Sequence, residues 1–278
     1  MNVRTAKVAG AFYPGSPAEI NSLLDRVLDS EKKKIDLRFA GHEIFGCVVP
    51  HAGYIYSAYE AVHFFEILRS SGKRYDTFII INPNHTGYGE YIEVDSSDAW
   101  ETPLGSVPLD TEFARALELP RSNRAQQQEH SAEVMLPFLQ KFLPYDFKVL
   151  PICMLRQNPL SALELAEKIR NANARLKRKL MIIASSDFSH FESPDNGQRK
   201  DDLVLEQIEK QDAEKLYDTV IKNRISVCGY GPIMTLMEYS RMVCDGPRSS
   251  ILARGNSGKT RPSDSVVDYV TILFYSPD

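Results

Sequence analysis

The sequence has no paired cysteines, no long basic tract and no hydrophobic run of membrane-spanning length. Each absence removes a class of protein. The four cysteines (Cys47, Cys153, Cys228 and Cys244) include no CxxC pair, so with a reducing compartment no disulfide is expected. Cys47 falls inside an apolar run and reads as a small core hydrophobe. "SEKKKID" and "RLKRKL" are too short for a nucleic-acid footprint and read as solvated faces. The N-terminus "MNVRTAKVAGAFYP" lacks the apolar core of a signal peptide, so a cytoplasmic protein is expected, with no membrane contact.

What remains is ordinary soluble composition: 278 residues, 43% hydrophobic, 25% charged, net charge −4. A chain of this length builds a large core without disulfides or a structural metal. No linker, repeat or low-complexity stretch interrupts it, so one domain over residues 1–278 is expected.

Short apolar runs alternate with helical patterns. "SPAEINSLLDRVLDS" opens on a capping box, Ser16 with Glu19, and has Pro17 at its first helical position. Strands are expected at 44–49, 77–81, 91–94, "FKVLPIC" and "LMIIASS", with helices at 58–68, from Asp110, after His130 and over "NPLSALELAEKIRNANARL". "SSDAWETPLGSVPLD" reads as a loop. Three helical segments fill roughly 198–243, and two β segments close the chain. This alternation predicts an α/β fold: a mostly parallel central sheet, helices on both faces, and an antiparallel C-terminal edge.

Histidine is scarce, at six residues, and its placement is informative. His51, His85 and His190 each follow the end of an apolar strand, in "FGCVVPHAGY", "FIIINPNHTGYG" and "MIIASSDFSHF". Ligands of open α/β sheets bind beyond the carboxyl ends of the strands. One histidine there reads as a cap; three in the same topological position read as one site. Asp187, three residues before His190, is placed to hold its ring or accept its proton. His130 opens a helix, as a pocket member or a cap. His63 reads as structural and His42 as exposed. Cys228, followed by Gly229 and Gly231, suits either the core or a thiolate site. "ARGNSGKT" mimics a phosphate-binding loop, but the first glycine position is Ala253 and a strand follows, so no nucleotide is expected.

The ordered blocks "VAGAFYPGS", "PHAGYIYS", "NPNHTGYG", "WETPLGSVPLD", "EHSAEVMLPFLQ", "ASSDFSH", "CGYGPI" and "GNSG" resemble the signature of the Memo family, called AmmeMemoRadiSam system protein B in prokaryotes. The resemblance covers nearly the whole chain. It implies a LigB-like fold, similar to class III extradiol dioxygenases, which are non-haem Fe(II) enzymes. It implies a metal triad of His51, His85 and Cys228, acid–base work by Asp187 and His190, and His130 in the same pocket. It also implies pathway partners of the radical-SAM and AMMECR1-like kinds. Where the dioxygenases use a carboxylate, this chain has Cys228, so ring cleavage is not implied. A thiolate favours Cu(I), zinc or another iron chemistry. Fe(II) or Cu(I) is the expected cofactor, with zinc or no metal after purification. Asn82 stands where many relatives have glycine, and "GNSGKTRPSDS" is less acidic than the family pattern.

Three functions compete. The first is a metal-dependent redox enzyme. The second is a non-catalytic module holding a peptide or small molecule in the same crevice. The third is a metal-free cysteine nucleophile activated by His190, which leaves His51 and His85 idle.

Overall fold

In the computed structural model, which describes residues 2–277, the apolar runs become strands in the expected order. The chain begins with β1 (Val3–Arg4), α1 (Pro17–Glu31), β2 (Ile44–Val49), α2 (Tyr54–Ser71), β3 (Thr77–Pro83), β4 (Ile92–Val94), β5 (Ala99–Thr102), β6 (Gly105–Pro108) and α3 (Thr111–Ala116). It continues through α4 (Leu136–Phe142), β7 (Lys148–Met154), α5 (Pro159–Leu176), β8 (Leu180–Ser185), β9 (His190–Glu192) and α6 (Pro194–Glu209). It ends with α7 (Ala213–Lys222), α8 (Tyr230–Val243), β10 (Arg248–Asn256) and β11 (Val266–Tyr275).

The main sheet runs β10-β11-β2-β8-β3-β7-β4, and β9 pairs with one end of β11. β2, β8, β3 and β7 are parallel to one another. β10 and β11 form the expected antiparallel edge, and β4 adds a second antiparallel edge beside β7. Alternation along the strands fills two cores. Val48, Ile79, Ile81 and Ile182 face α5 and α8, through Leu165, Ile169, Ile233 and Leu236. Cys47, Phe78, Ile80 and Ile183 face α1, α2 and α4, through Leu24, Phe65 and Phe138. With both faces covered, these strands read as continuous apolar runs rather than alternating ones. Each large aliphatic side chain buried there contributes roughly 1.5–3 kcal/mol, before the cost of chain entropy.

At α1 the cap forms with a twist. The Ser16 hydroxyl accepts from the Glu19 N–H and donates to the Glu19 carboxylate at 2.6 Å. Two expectations change. "SSDAWETPLGSVPLD" is no simple loop: β5 and β6 form a hairpin, and β1 joins β5 in a small three-stranded sheet. Its strands are too short for their periodicity to stand out, but Trp100 is fully buried with the Arg4 guanidinium 4.1 Å from its ring centre. His42 is partly covered by Phe39 and Tyr275 rather than fully exposed. After Asn256 comes a 3-10 turn, Ser257–Lys259, and then β11; no helix follows the glycine-rich stretch. Among the described residues, no helix is long and apolar enough to cross a membrane.

For function, the order β2-β8-β3 is what matters. Three neighbouring parallel strands end at the same edge, so the segments after Val49, Ser185 and Pro83 emerge side by side.

Candidate metal centre

His51 leaves β2 buried, and its neighbours fix its protonation. Its Nδ1 lies 2.8 Å from Ser185 Oγ, and that hydroxyl already donates its one proton to the Ser131 carbonyl at 2.7 Å. Ser185 therefore accepts from His51 Nδ1–H, and Nε2 keeps its lone pair. Nε2 lies 3.2 Å from Cys228 Sγ. His85, on the segment after β3, follows the same logic. Its Nδ1 sits 3.0 Å from Glu129 Oε1, an acceptor, so Nδ1 carries a proton and the neutral ring has Nε2 bare. Atoms able to ligate on His51, His85 and Cys228 all lie within 4.8 Å of one another. With metal bonds of about 2.0 Å to nitrogen and 2.3 Å to sulfur, one ion comes within reach of all three.

Cys228 sits in the turn between α7 and α8. Gly229 lets that turn press onto the end of β8, because a Cβ there would lie 2.3 Å from the Ser185 carbonyl oxygen. The Gln157 amide holds the Cys228 carbonyl at 2.9 Å. Sγ accepts the Asp187 N–H at 3.2 Å. Burial, and then the Asp187 carboxylate, push this thiol far above its usual range. Burial also drives His51 well below the ordinary imidazole range, with His130 and His85 adding to the effect. Asp187 is buried, accepts the His51 N–H at 2.7 Å and is lifted to about 6 by desolvation. Two bare imidazole nitrogens and a sulfur, beside a buried carboxyl, make a donor set that a soft cation fits.

His190 and His130 join this region by different routes. Asp187 does not grip the His190 ring; Nδ1 faces the carbonyl oxygens of Phe188 and Ser226, at 2.6 and 2.9 Å. Both are acceptors, so Nδ1 carries the proton and Nε2 is free. The His130 ring lies 4.9 Å from that of His85 and 5.3 Å from that of His51, with Phe12 against it at 4.4 Å. Burial lowers His130 to about 4, against the pull of Glu129, which keeps the ring neutral near pH 7. His63 stays apart in α2, 3.4 Å from Glu31.

Glu129 was not legible as a site residue, because an acid in the polar run "QQQEHS" looks solvated. In the fold it is fully buried. His85, Glu129 and His130 also lie within ligating distance of one another. Yet Oε1 accepts from His85 Nδ1, the His130 and Ser131 N–H groups and the Ser131 hydroxyl, while Oε2 accepts the His85 N–H. Saturated in this way, Glu129 orients histidines rather than binding an ion. Burial pushes its carboxyl up, but the hydrogen bonds from the His85 ring and backbone prevail and hold it at about 2. Glu129→Gln should weaken metal binding about 10–100-fold, the usual cost of losing such a partner. Competition with a chelator measures this, and a change below about threefold would discard the role.

A family model described as Memo-like protein matches residues 4–273. The chain belongs to the Memo family. The Memo-family chain is 38% identical over 277 residues to a MEMO1 family protein of Archaeoglobus fulgidus, covering 98% of this chain and 99% of that one. MEMO1 family proteins of Methanosarcina acetivorans and Saccharolobus islandicus are 36% and 37% identical, each with 98% of this chain and 99% of the relative covered. An uncharacterized protein of Escherichia coli K12 resembles this Memo chain in fold only, at a TM-score of 0.51 and 11% identity, covering 77% of this chain and 91% of that one. All the histidines and the cysteine of the Memo site lie inside the matched region.

Proposed function

We propose that this Memo-family protein is a metal-dependent redox protein whose ion, Fe(II) or Cu(I), is held by His51, His85 and Cys228. The observation that carries the reading is the convergence of one ligating atom each from His51, His85 and Cys228, with Nδ1 of His51 facing Ser185 and Nδ1 of His85 facing Glu129. Such a donor set suits Cu(I), zinc or iron better than a hard cation. When bound, the ion supplies a Lewis acid and a one-electron centre.

The chain's own residues handle the rest. Asp187, poised at about 6 with Oδ2 4.0 Å from His51 Nε2, holds or releases a proton near neutral pH. His190 offers a fixed ring with a free Nε2 to accept one. Phe12 covers the His130 ring on one side, while His85 stays exposed and marks the open side. A metal-free thiol nucleophile is less well served. Cys228 faces His51, not His190, and burial opposes both the thiolate and the imidazolium of that pair.

Anaerobic titration of the apo-protein tests the proposal. Uptake of one Fe(II) or Cu(I) per chain is expected. Co(II) as a probe should give the intense absorption of a sulfur-to-metal bond. No stoichiometric uptake of any of the three would overturn the reading.

A further inference from the structure

Two buried acids meet where α6 packs on β11, and neither belongs to the metal cluster. Asp201 of α6 is fully buried and Asp268 of β11 nearly so. Asp201 Oδ1 accepts the Ser189 N–H at 3.1 Å and the Ser189 hydroxyl at 2.6 Å. Asn256 of β10 bonds to the Asp268 carboxyl, and the two carboxyls contact each other. Oδ2 of each aspartate is buried and has no donor among the described residues. The Arg254 guanidinium of β10 stands 3.7 Å from Asp201 Oδ2, too far for a hydrogen bond, and is engaged with Asp202 at 2.5 Å. The other charges nearby are also committed: Glu192 of β9 to Lys200 of α6, and Lys259 to Glu60 of α2. The His190 ring turns to the carbonyls of Phe188 and Ser226. Gly197 brings α6 so close that a Cβ there would lie 2.1 Å from Asp268 Oδ2, so the carboxyl fills the space of a side chain.

Two carboxylates in contact and out of water do not both stay ionised, and one proton between their Oδ2 atoms satisfies both. We propose that Asp201 and Asp268 share one proton, and that this proton clamps the segment Asp187–His190 against α6 and β11. The segment is held from both sides by the pair. Asp201 takes the Ser189 N–H and hydroxyl. The Phe188 N–H donates to the Asp268 carbonyl at 2.9 Å, and the Asp268 N–H donates to the Ser189 carbonyl at 2.8 Å. Asp187 and His190, the residues placed to move protons in the site, flank those two. Burial lifts both carboxyls, Asp201 to about 7 and Asp268 to about 6, and the Asp268 charge lifts Asp201 further. These folded values lie above the unfolded value of about 4, so the clamp is whole in acid and lost as pH rises through about 7. Like charges then face each other in the core, and the segment loosens. This goes beyond the metal-centre reading and does not depend on it.

The test uses the full-length protein. Carbon-13 shifts of the carboxyls, followed across pH, are expected to show the two aspartates titrating as a pair, at about pH 6 or above. Asp201→Asn keeps the oxygen that accepts from Ser189 and replaces the shared proton with an amide N–H that does not leave. At about pH 8.5 this variant should melt about 4 °C above wild type, and at about pH 5 it should match it. At the higher pH the Phe188 and Ser189 amides should exchange about tenfold faster in wild type than in the variant. Asp268→Asn supplies the amide from the other side and should behave alike. Two aspartates that both titrate below about pH 5, or asparagine variants that melt below wild type at both pH values, overturn the shared proton. Equal amide exchange in wild type and variants overturns the clamp. None of these outcomes bears on the metal cluster, whose failure would leave the pair untouched.

Discussion

Cys228→Ser is expected to fold normally and to lose tight binding of Fe(II) and Cu(I). The sulfur sits 3.2 Å from the bare Nε2 of His51 and is the only soft donor in the cluster. Serine is nearly the same size, so the turn against β8 has no reason to move. Its oxygen is a hard, protonated and poor ligand for Cu(I). His85→Ala removes a nitrogen from the open side and should weaken binding comparably. Both losses should exceed the roughly 10–100-fold effect of removing an outer partner such as Glu129. His63→Ala is the control, because that ring contacts Glu31 and contributes nothing to the cluster. Anaerobic competition titrations with a chelator measure all four proteins. Equal affinity across the series would remove the triad and leave a crevice that binds its ligand without metal.

Glu133→Ala should be the most damaging single change to stability. Glu133 is fully buried and accepts from Arg4 Nη1 at 2.6 Å, the Lys7 and Val8 N–H groups at 3.0 Å, and the Tyr13 hydroxyl at 2.8 Å. Without it the Arg4 guanidinium stays buried and unpaired, which costs about 3–5 kcal/mol. For a chain of this size that is on the order of 10 °C in melting temperature. Arg4 also donates to the carbonyls of Gln126 and Glu129, so the loss loosens the segment that orients His85. Replacing both partners, Arg4→Met with Glu133→Leu, should recover most of the stability, because no orphaned charge remains. Thermal and denaturant unfolding check both expectations. A Glu133→Ala loss below about 1 kcal/mol would show that water or a neighbour takes over the pairing.

The sheet strands were readable because burial on both faces leaves runs such as Phe78–Ile81 with no polar interruption. The strand-end histidines were readable because parallel topology sends such positions to one edge. The small sheet was not, since β1 has two residues and β5 and β6 four each. Nor did Asp187 behave as its spacing suggested: the backbone turns so that His190 meets carbonyls and Asp187 meets His51. Cys228 stood out only through the family blocks, because a lone cysteine between helices usually marks core. Glu129 and Ser185 reach the histidines only through contacts 44 and 134 residues away, which no local pattern encodes.

The place of β11 has a consequence for how the protein is made. The last strand lies between β10 and β2, pairing Ile272 with Val48. His51 and Cys228 are 177 residues apart in the chain. A ribosome releases the chain from its N-terminus, so β2 waits for a neighbour that is synthesised after every other strand of the sheet. Until then its edge is open, and an unpaired apolar strand invites association with other chains. The sulfur of Cys228 and the nitrogens of His51 and His85 cannot come together on the nascent chain before residue 228 has emerged. On the proposed metal reading, loading is thus a late event in biosynthesis, and an ion supplied too early meets separate donors rather than a site.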